Sequence, residues 1–198
     1  MHNIVVFWTS ITWWAWDKDL WWWVNRLRLF IDNNGFDYCV YNQWISGDCT
    51  EWISKRILSE CTFRNPSILI FSVATNDAWY YKSKDSNNVP IDKFSENLDL
   101  LLKISLKYTK KIIFVWPTSV NESFVTPIPW NKDIYYYNKS IKEYDLIMKN
   151  FCERNNIGYV DTFDLLDYSD LEDWLHPNSK WHEKIFLKVK EYVFSNFI

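Results

Sequence analysis

Five short runs of apolar, β-favouring residues punctuate the chain, at 4–8 (IVVFW), 37–41 (DYCVY), 67–73 (SILIFSV), 111–116 (KIIFVW) and 157–160 (IGYV). Between them the apolar positions take a helical period. Leu20, Val24, Leu27, Phe30 and Ile31 recur over 19–33, and Phe94, Leu98, Leu101 and Leu102 over 92–107. Ile141, Tyr144, Ile147, Met148 and Phe151 mark a helix over 138–154, and 179–197 forms a last amphipathic one. Strands that are apolar throughout must be buried on both faces, so their alternation with helices predicts a parallel sheet covered on both sides. The expected fold is α/β, a three-layer α/β/α sandwich with a five-stranded parallel sheet, in a single domain over 1–198. The stretch 117–133 (PTSVNESFVTPIPWNKD) reads as a long Pro-punctuated loop able to shape a pocket.

A chain of 198 residues can bury a full core without metal or disulfide staples. Its net charge of −3 gives no electrostatic reason to expect nucleic acid or an anionic membrane as partner. No apolar run approaches the roughly 20 residues of a membrane helix, and the first strand starts too near Met1 to leave room for a signal peptide. Cys39, Cys49, Cys61 and Cys152 are scattered without metal-ligand spacing, as expected of reduced thiols in a cytoplasmic protein. Neither metal nor cofactor is implied. One property is abnormal: ordinary usage of about 7% predicts roughly 14 glycines, and the chain has 3, with 14 tryptophans.

Chemistry in open parallel sheets gathers beyond the carboxyl ends of the strands. Thr9-Ser10 follows the first run, Asn42 to Asp48 the second and Thr75-Asn76-Asp77 the third. Ser10 at a strand-to-helix turn is well placed for a nucleophile, although taken alone it reads more simply as a turn or N-cap residue. Its base must come from three histidines. His2 lies at the far end of the first strand, and His182, beside Glu183 and Lys184, reads as a surface position in the last helix. His176 sits in a loop held extended by Pro177, with Asp173 three residues earlier, where a turn can bring the carboxylate to the imidazole. The bland alternative for this stretch is a helix-entry turn. Asn76 offers an amide to a developing oxyanion, or simply forms a turn.

In order and content these blocks resemble the SGNH hydrolases, or GDSL esterases/lipases. Their Gly-Asp-Ser block corresponds to Trp8-Thr9-Ser10, their second-block glycine to Trp44 in NQWISGD, Gly-x-Asn-Asp to Ala74-Thr75-Asn76-Asp77, and Asp-x-x-His to Asp173–His176. The resemblance covers essentially the whole chain. It implies a flavodoxin-like sheet order, Ser10 as nucleophile, His176 as base and Asp173 as its partner. It also implies an oxyanion hole from the backbone N–H groups of Ser10 and Trp44 and the Asn76 amide. The implied activity is hydrolysis of a small acyl or acetyl ester by a serine esterase. A thioesterase or lysophospholipase would use the same machinery, and a non-catalytic carbohydrate- or lipid-binding module is the alternative of another class.

Departures from the family pattern are systematic. Trp8, Trp14, Trp21, Trp22, Trp44, Trp116, Trp174 and Trp181 stand where family-like sequences carry glycine. They follow glycine slots and no single face of any element, which argues against an aromatic binding surface. Some bacterial lineages read the codon UGA as glycine and others as tryptophan; reading a gene of the first kind with the second code writes Trp for Gly. Abundant Lys, Asn, Ile, Tyr and Phe fit an AT-rich genome in which such recoding is expected. Deliberate engineering is the competing explanation. Trp13, Trp16, Trp23 and Trp130 occupy positions suited to aromatics, and Trp52 and Trp79 fit either class. Thr9 for Asp and Ala74 for Gly are ordinary small-residue divergence.

Overall fold

The structure is a computed structural model that describes residues 1–9, 22–116, 119–165 and 167–198. Ser10, Trp13, Trp14, Trp16 and Trp21 lie outside the described residues. The chain runs through β1 (His2–Trp8), α1 (Trp22–Asn33), β2 (Tyr38–Trp44), α2 (Thr50–Arg64), β3 (Ile68–Ser72), the single turn α3 (Thr75–Ala78), β4 (Tyr80–Tyr81) and β5 (Ser86–Asn87). It continues through α4 (Ile91–Ser105), β6 (Ile112–Val115), the short α5 (Glu122–Val125), β7 (Ile134–Tyr135), α6 (Asn138–Asn155), β8 (Gly158–Val160) and α7 (Ser179–Asn196).

Five strands form one parallel sheet in the order β2-β1-β3-β6-β8. This is the doubly wound, flavodoxin-like order, in which the chain leaves β1 first toward β2 and then crosses back to β3. The switch leaves a crevice beyond the carboxyl ends of β1 and β3, where Thr9 and the Val73–Asp77 segment emerge. Ile4, Val5, Val6 and Phe7 of β1 and Ile68 to Phe71 of β3 are fully buried, as the apolar runs require. One face packs on α2, α4 and α6 through Val5, Phe7, Ile53, Phe94, Leu98 and Met148, the other on α1 and α7 through Ile4, Val6, Leu27, Ile70, Ile185 and Val189. Arg26 of α1 donates to Glu183 and to Ser179 at the start of α7, tying the helices of that layer together.

Two features depart from the sequence expectation. Helix α2 buries only Thr50, Ile53, Ile57 and Cys61, a narrow stripe, while Trp52, Leu58 and Phe63 face solvent and blur the period. A small antiparallel sheet, β5-β4-β7, stands outside the five apolar runs on strands of two residues, too short to show alternation. His182 corrects a further expectation: it is only 1% exposed, on the buried stripe of α7 with Phe186, Val189 and Val193.

Backbone conformation bears on the tryptophans. Trp22 and Trp174 take φ of +75° and +67°, the left-handed region that L side chains disfavour. Asn65, Asp85 and Asn156 are the ordinary Asx occupants of that region, and Ala74 is there too, at +90°. At Gly158, one of the chain's 3 glycines, a Cβ would lie 3.0 Å from the Ile112 carbonyl oxygen. The indole rings of Trp8, Trp22, Trp23 and Trp44 meet beyond the carboxyl ends of β1 and β2, with Trp22 stacked on Trp44 at 6.0 Å. Among the described residues, the indole N–H groups of Trp44, Trp79, Trp116 and Trp181 are buried with no hydrogen-bond partner.

Candidate active site

The DWLHP stretch folds as a closed turn. Leu171 bridges to Pro177, and Glu172 N–H donates to the His176 carbonyl at 2.8 Å. Inside the turn, one Asp173 oxygen accepts from the backbone N–H of His176 at 2.7 Å and of Leu175 at 3.3 Å. The other Asp173 oxygen lies 2.7 Å from His176 Nδ1. Burial alone would raise the Asp173 pKa, but the hydrogen bond and charge of His176, with the two backbone N–H groups, outweigh it and hold it below its ordinary value. With Nδ1 engaged, Nε2 is the ring nitrogen left for proton transfer. Asn178, just beyond, caps α7 by accepting from Lys180 and Trp181 N–H.

Other segments lean on this turn. Asn121 N–H donates to the Trp174 carbonyl, which fastens the 119–133 loop to it. The Trp130 ring lies face-on to His176, with centroids 6.1 Å apart and planes 19° apart, while Trp174 stacks on Phe124 at 4.4 Å. His176 itself is buried.

Asn76 sits in α3, just past the end of β3, and is buried. Its Nδ2 donates to the Asp48 carbonyl at 2.9 Å and its Oδ1 accepts from the Tyr136 hydroxyl at 3.2 Å. One amide hydrogen is thereby used, and the second meets no acceptor among the described residues. Asp77 holds the same turn from beneath: its carboxylate accepts from Thr50 N–H, the Thr50 hydroxyl and Ala74 N–H at 2.9, 2.5 and 3.1 Å. Full burial pushes the Asp77 pKa up to about 6 against these donors.

Trp44 ends β2 in register with Trp8 of β1. Its backbone N–H donates to Asn42 Oδ1 at 3.1 Å, and the same oxygen accepts from the Trp8 indole. An acceptor thus stands on the N–H expected to meet an oxyanion. The following turn carries Gly47 at φ +74° and ends at Asp48, whose carboxylate pairs with Arg56 at 2.5 Å. Arg56 also donates to the Gln43 carbonyl at 2.8 Å.

The structure therefore pairs Asp173 with His176 and fixes Asn76 and Trp44 at the ends of their strands. Ser10 lies outside the described residues. Sequence reasoning placed Asp48 and Asp77 beyond their strands without giving them a role, and missed Thr50 and Arg56. Asp77 had a usable signal, an acidic residue four positions past an apolar run, where a buried carboxylate must find donors.

Similar proteins share this architecture. The lipase/acylhydrolase from Enterococcus faecalis superposes with a TM-score of 0.77 at 20% identity, covering 98% of this chain and 96% of that one. The acetyl xylan esterase AlAXEase gives 0.77 at 18% identity, covering 96% and 99%. A variant of the acetyl xylan esterase Axe2 from Geobacillus stearothermophilus gives 0.75 at 16% identity, covering 100% and 96%. No curated protein matches the chain in sequence. The GDSL-like lipase/acylhydrolase family model matches residues 4–189, nearly the whole chain, which therefore belongs to that family of ester-cleaving hydrolases.

Proposed function

We propose that the protein is a serine esterase that cleaves a small acyl or acetyl ester through an acyl-enzyme. The observation that carries this reading is the Asp173–His176 pair, closed at 2.7 Å within a turn that fixes the imidazole. Ser10 Oγ attacks the ester carbonyl as its proton passes to His176 Nε2, and the carbonyl π electrons move onto oxygen. Asn76 and the N–H groups of Ser10 and Trp44 receive that oxyanion. Collapse expels the alcohol, which takes the proton from Nε2. Water then repeats the attack, losing its proton to His176, and collapse releases the acid and restores Ser10. Asp173 orients the ring and stabilises its cationic form. The acetyl preference draws support from two similar structures that are acetyl xylan esterases. Turnover of a short activated ester by the parent, absent in Ser10→Ala, tests the reading; hydrolysis surviving that change would remove Ser10 from the mechanism.

The same reading takes the working enzyme to carry glycine at Trp8, Trp14, Trp21, Trp22, Trp44, Trp116, Trp174 and Trp181. It is supported by the positive φ of Trp22 and Trp174 and by the buried, unpartnered indole N–H groups of Trp44, Trp116 and Trp181. Glycine at position 8 would also release Asn42 from the Trp8 indole and so free the acceptor that stands on the Trp44 N–H. A cytoplasmic location and a single domain complete the reading; among the described residues no helix is long and apolar enough to cross a membrane.

A further inference from the structure

We infer that Arg56 is a positioning residue that aims two oxyanion donors at once, an assignment that rests on the oxyanion hole proposed above. Its guanidinium grips both ends of the turn between β2 and α2. Nη2 donates to the Gln43 carbonyl at 2.8 Å and to the Asp48 carboxylate at 2.5 Å, and Nε reaches the same carboxylate oxygen at 3.2 Å. The Gln43 carbonyl and the Trp44 N–H belong to one peptide unit. That unit is planar and trans, so its C=O and N–H point in opposite directions. A cation fixed on the carbonyl therefore fixes the direction of the N–H and strengthens it as a donor, to Asn42 Oδ1 in this structure and to an oxyanion once that acceptor is displaced.

The second donor is set through Asp48. Its carbonyl oxygen accepts from Asn76 Nδ2 at 2.9 Å and so orients the amide, while its carboxylate is held by Arg56. Asp48 is 3% exposed, and burial raises its pKa in spite of Arg56. The ion pair is largely withdrawn from water, with the guanidinium 5.0 Å from the centre of the Phe7 ring. A buried pair of this kind is weak evidence of stability for its own sake. Its geometry instead suits placement, since Nη2 meets the carbonyl and the carboxylate while Nε adds a second contact to that carboxylate, and the rigid planar fork fixes their relative direction, which one flexible ammonium does not.

The test measures kcat and KM on a short activated ester for the full chain and for Arg56→Lys, which keeps the charge and loses the fork. The pair Arg56→Met with Asp48→Asn, which leaves no lone buried charge, covers the case in which the lysine variant folds poorly. Either folded variant should lose about 10- to 100-fold in kcat, the scale of a small misplacement at a reacting centre, with KM within about twofold. In the Asn76→Ala background the Arg56→Lys loss should shrink, because one of the two aimed donors is already gone. A kcat within about twofold of the parent in the folded variants, or an Arg56→Lys loss of full size in that background, overturns the assignment. Asn76→Ala by itself separates the two levels of argument. If it leaves kcat unchanged, the oxyanion reading and this inference both fall; if it lowers kcat while the Arg56 variants do not, only Arg56 is misassigned.

Discussion

Asp173 holds His176 at two points, with one carboxylate oxygen 2.7 Å from the ring Nδ1 and the other 2.7 Å from the backbone N–H of the same residue. Ring and backbone are thus fixed by a single side chain. On the proposed mechanism, Ser10→Ala and His176→Ala should each abolish hydrolysis of a short ester. Asp173→Ala should lower it less, since the imidazole remains and loses only its orientation and countercharge. Steady-state rates for the three variants check this. An Asp173 variant as inactive as the Ser10 and His176 variants would mean that the turn itself collapses without the carboxylate.

A separate expectation concerns the oxyanion. Asn76 is held on both sides of its amide, by Asp48 and by Tyr136, so its truncation removes a preorganised donor and not a mobile one. Asn76→Ala should slow turnover by about 100- to 1000-fold, the usual loss for one such donor. An unchanged kcat would take Asn76 out of the site.

The sheet and four of its helices were legible because their signals are strong. Runs such as IVVFW and SILIFSV can be buried on two faces only in a central parallel strand, and β1 and β3 are there. The Asp-x-x-His spacing carried its own geometry, since three residues suffice for a closed turn. Helix α2 was not legible, because its buried stripe includes Thr50 and Cys61 while Trp52, Leu58 and Phe63 point outward. His182 was misjudged because neighbours along the chain, Glu183 and Lys184, say little about a helical face; Phe186 and Val189, four and seven residues on, say more. Arg56 could not be read at all. Its role depends on a carbonyl and a carboxylate that only the fold brings together.

Stability should also respond to pH through a group remote from the site. Burial pushes the Asp145 pKa from 3.8 to about 6, only partly countered by the hydrogen bond from the Tyr159 hydroxyl. The folded protein therefore holds this proton more tightly than the unfolded chain. Asp145 favours the fold at low pH, and that contribution is lost as pH rises from about 4 through about 6. Asp173, with its lowered value, acts in the opposite sense, contributing above the ordinary carboxylate pKa and losing its effect as pH falls. Denaturant midpoints at pH 4.5 and pH 7 should differ less in Asp145→Asn, which keeps an acceptor for Tyr159, than in the parent. Equal differences would show that Asp145 does not titrate between those two conditions.

The last expectation concerns what stands at the tryptophan positions. In the source gene, Trp8, Trp14, Trp21, Trp22, Trp44, Trp116, Trp174 and Trp181 should be written UGA, and Trp13, Trp16, Trp23 and Trp130 UGG. Trp79 joins the first group, since its indole N–H is buried without a partner as those of Trp44, Trp116 and Trp181 are. Trp52 joins the second, being 56% exposed on α2 with the Lys55 ammonium 4.1 Å over its ring. Energetics set the direction of the protein-level test. A left-handed backbone at a non-glycine residue costs about 1–2 kcal/mol, which applies to Trp22 and Trp174. Each buried unpaired N–H costs about 1–3 kcal/mol. Against this, an aromatic pair such as Trp174 on Phe124 returns about 0.5–1.5 kcal/mol. Single replacements should therefore give small and mixed changes, because a lone glycine within the Trp8–Trp22–Trp44 cluster also loses its ring contacts. Replacing the original eight together should stabilise the protein by several kcal/mol, a large share of the roughly 5–15 kcal/mol of an ordinary domain. It should also open the space beyond the carboxyl ends of β1 and β2, around the Trp44 N–H, and ester hydrolysis should rise with it. Two results would defeat the idea: UGG at most of the eight positions, or a tryptophan-bearing chain as stable and as active as its glycine counterpart.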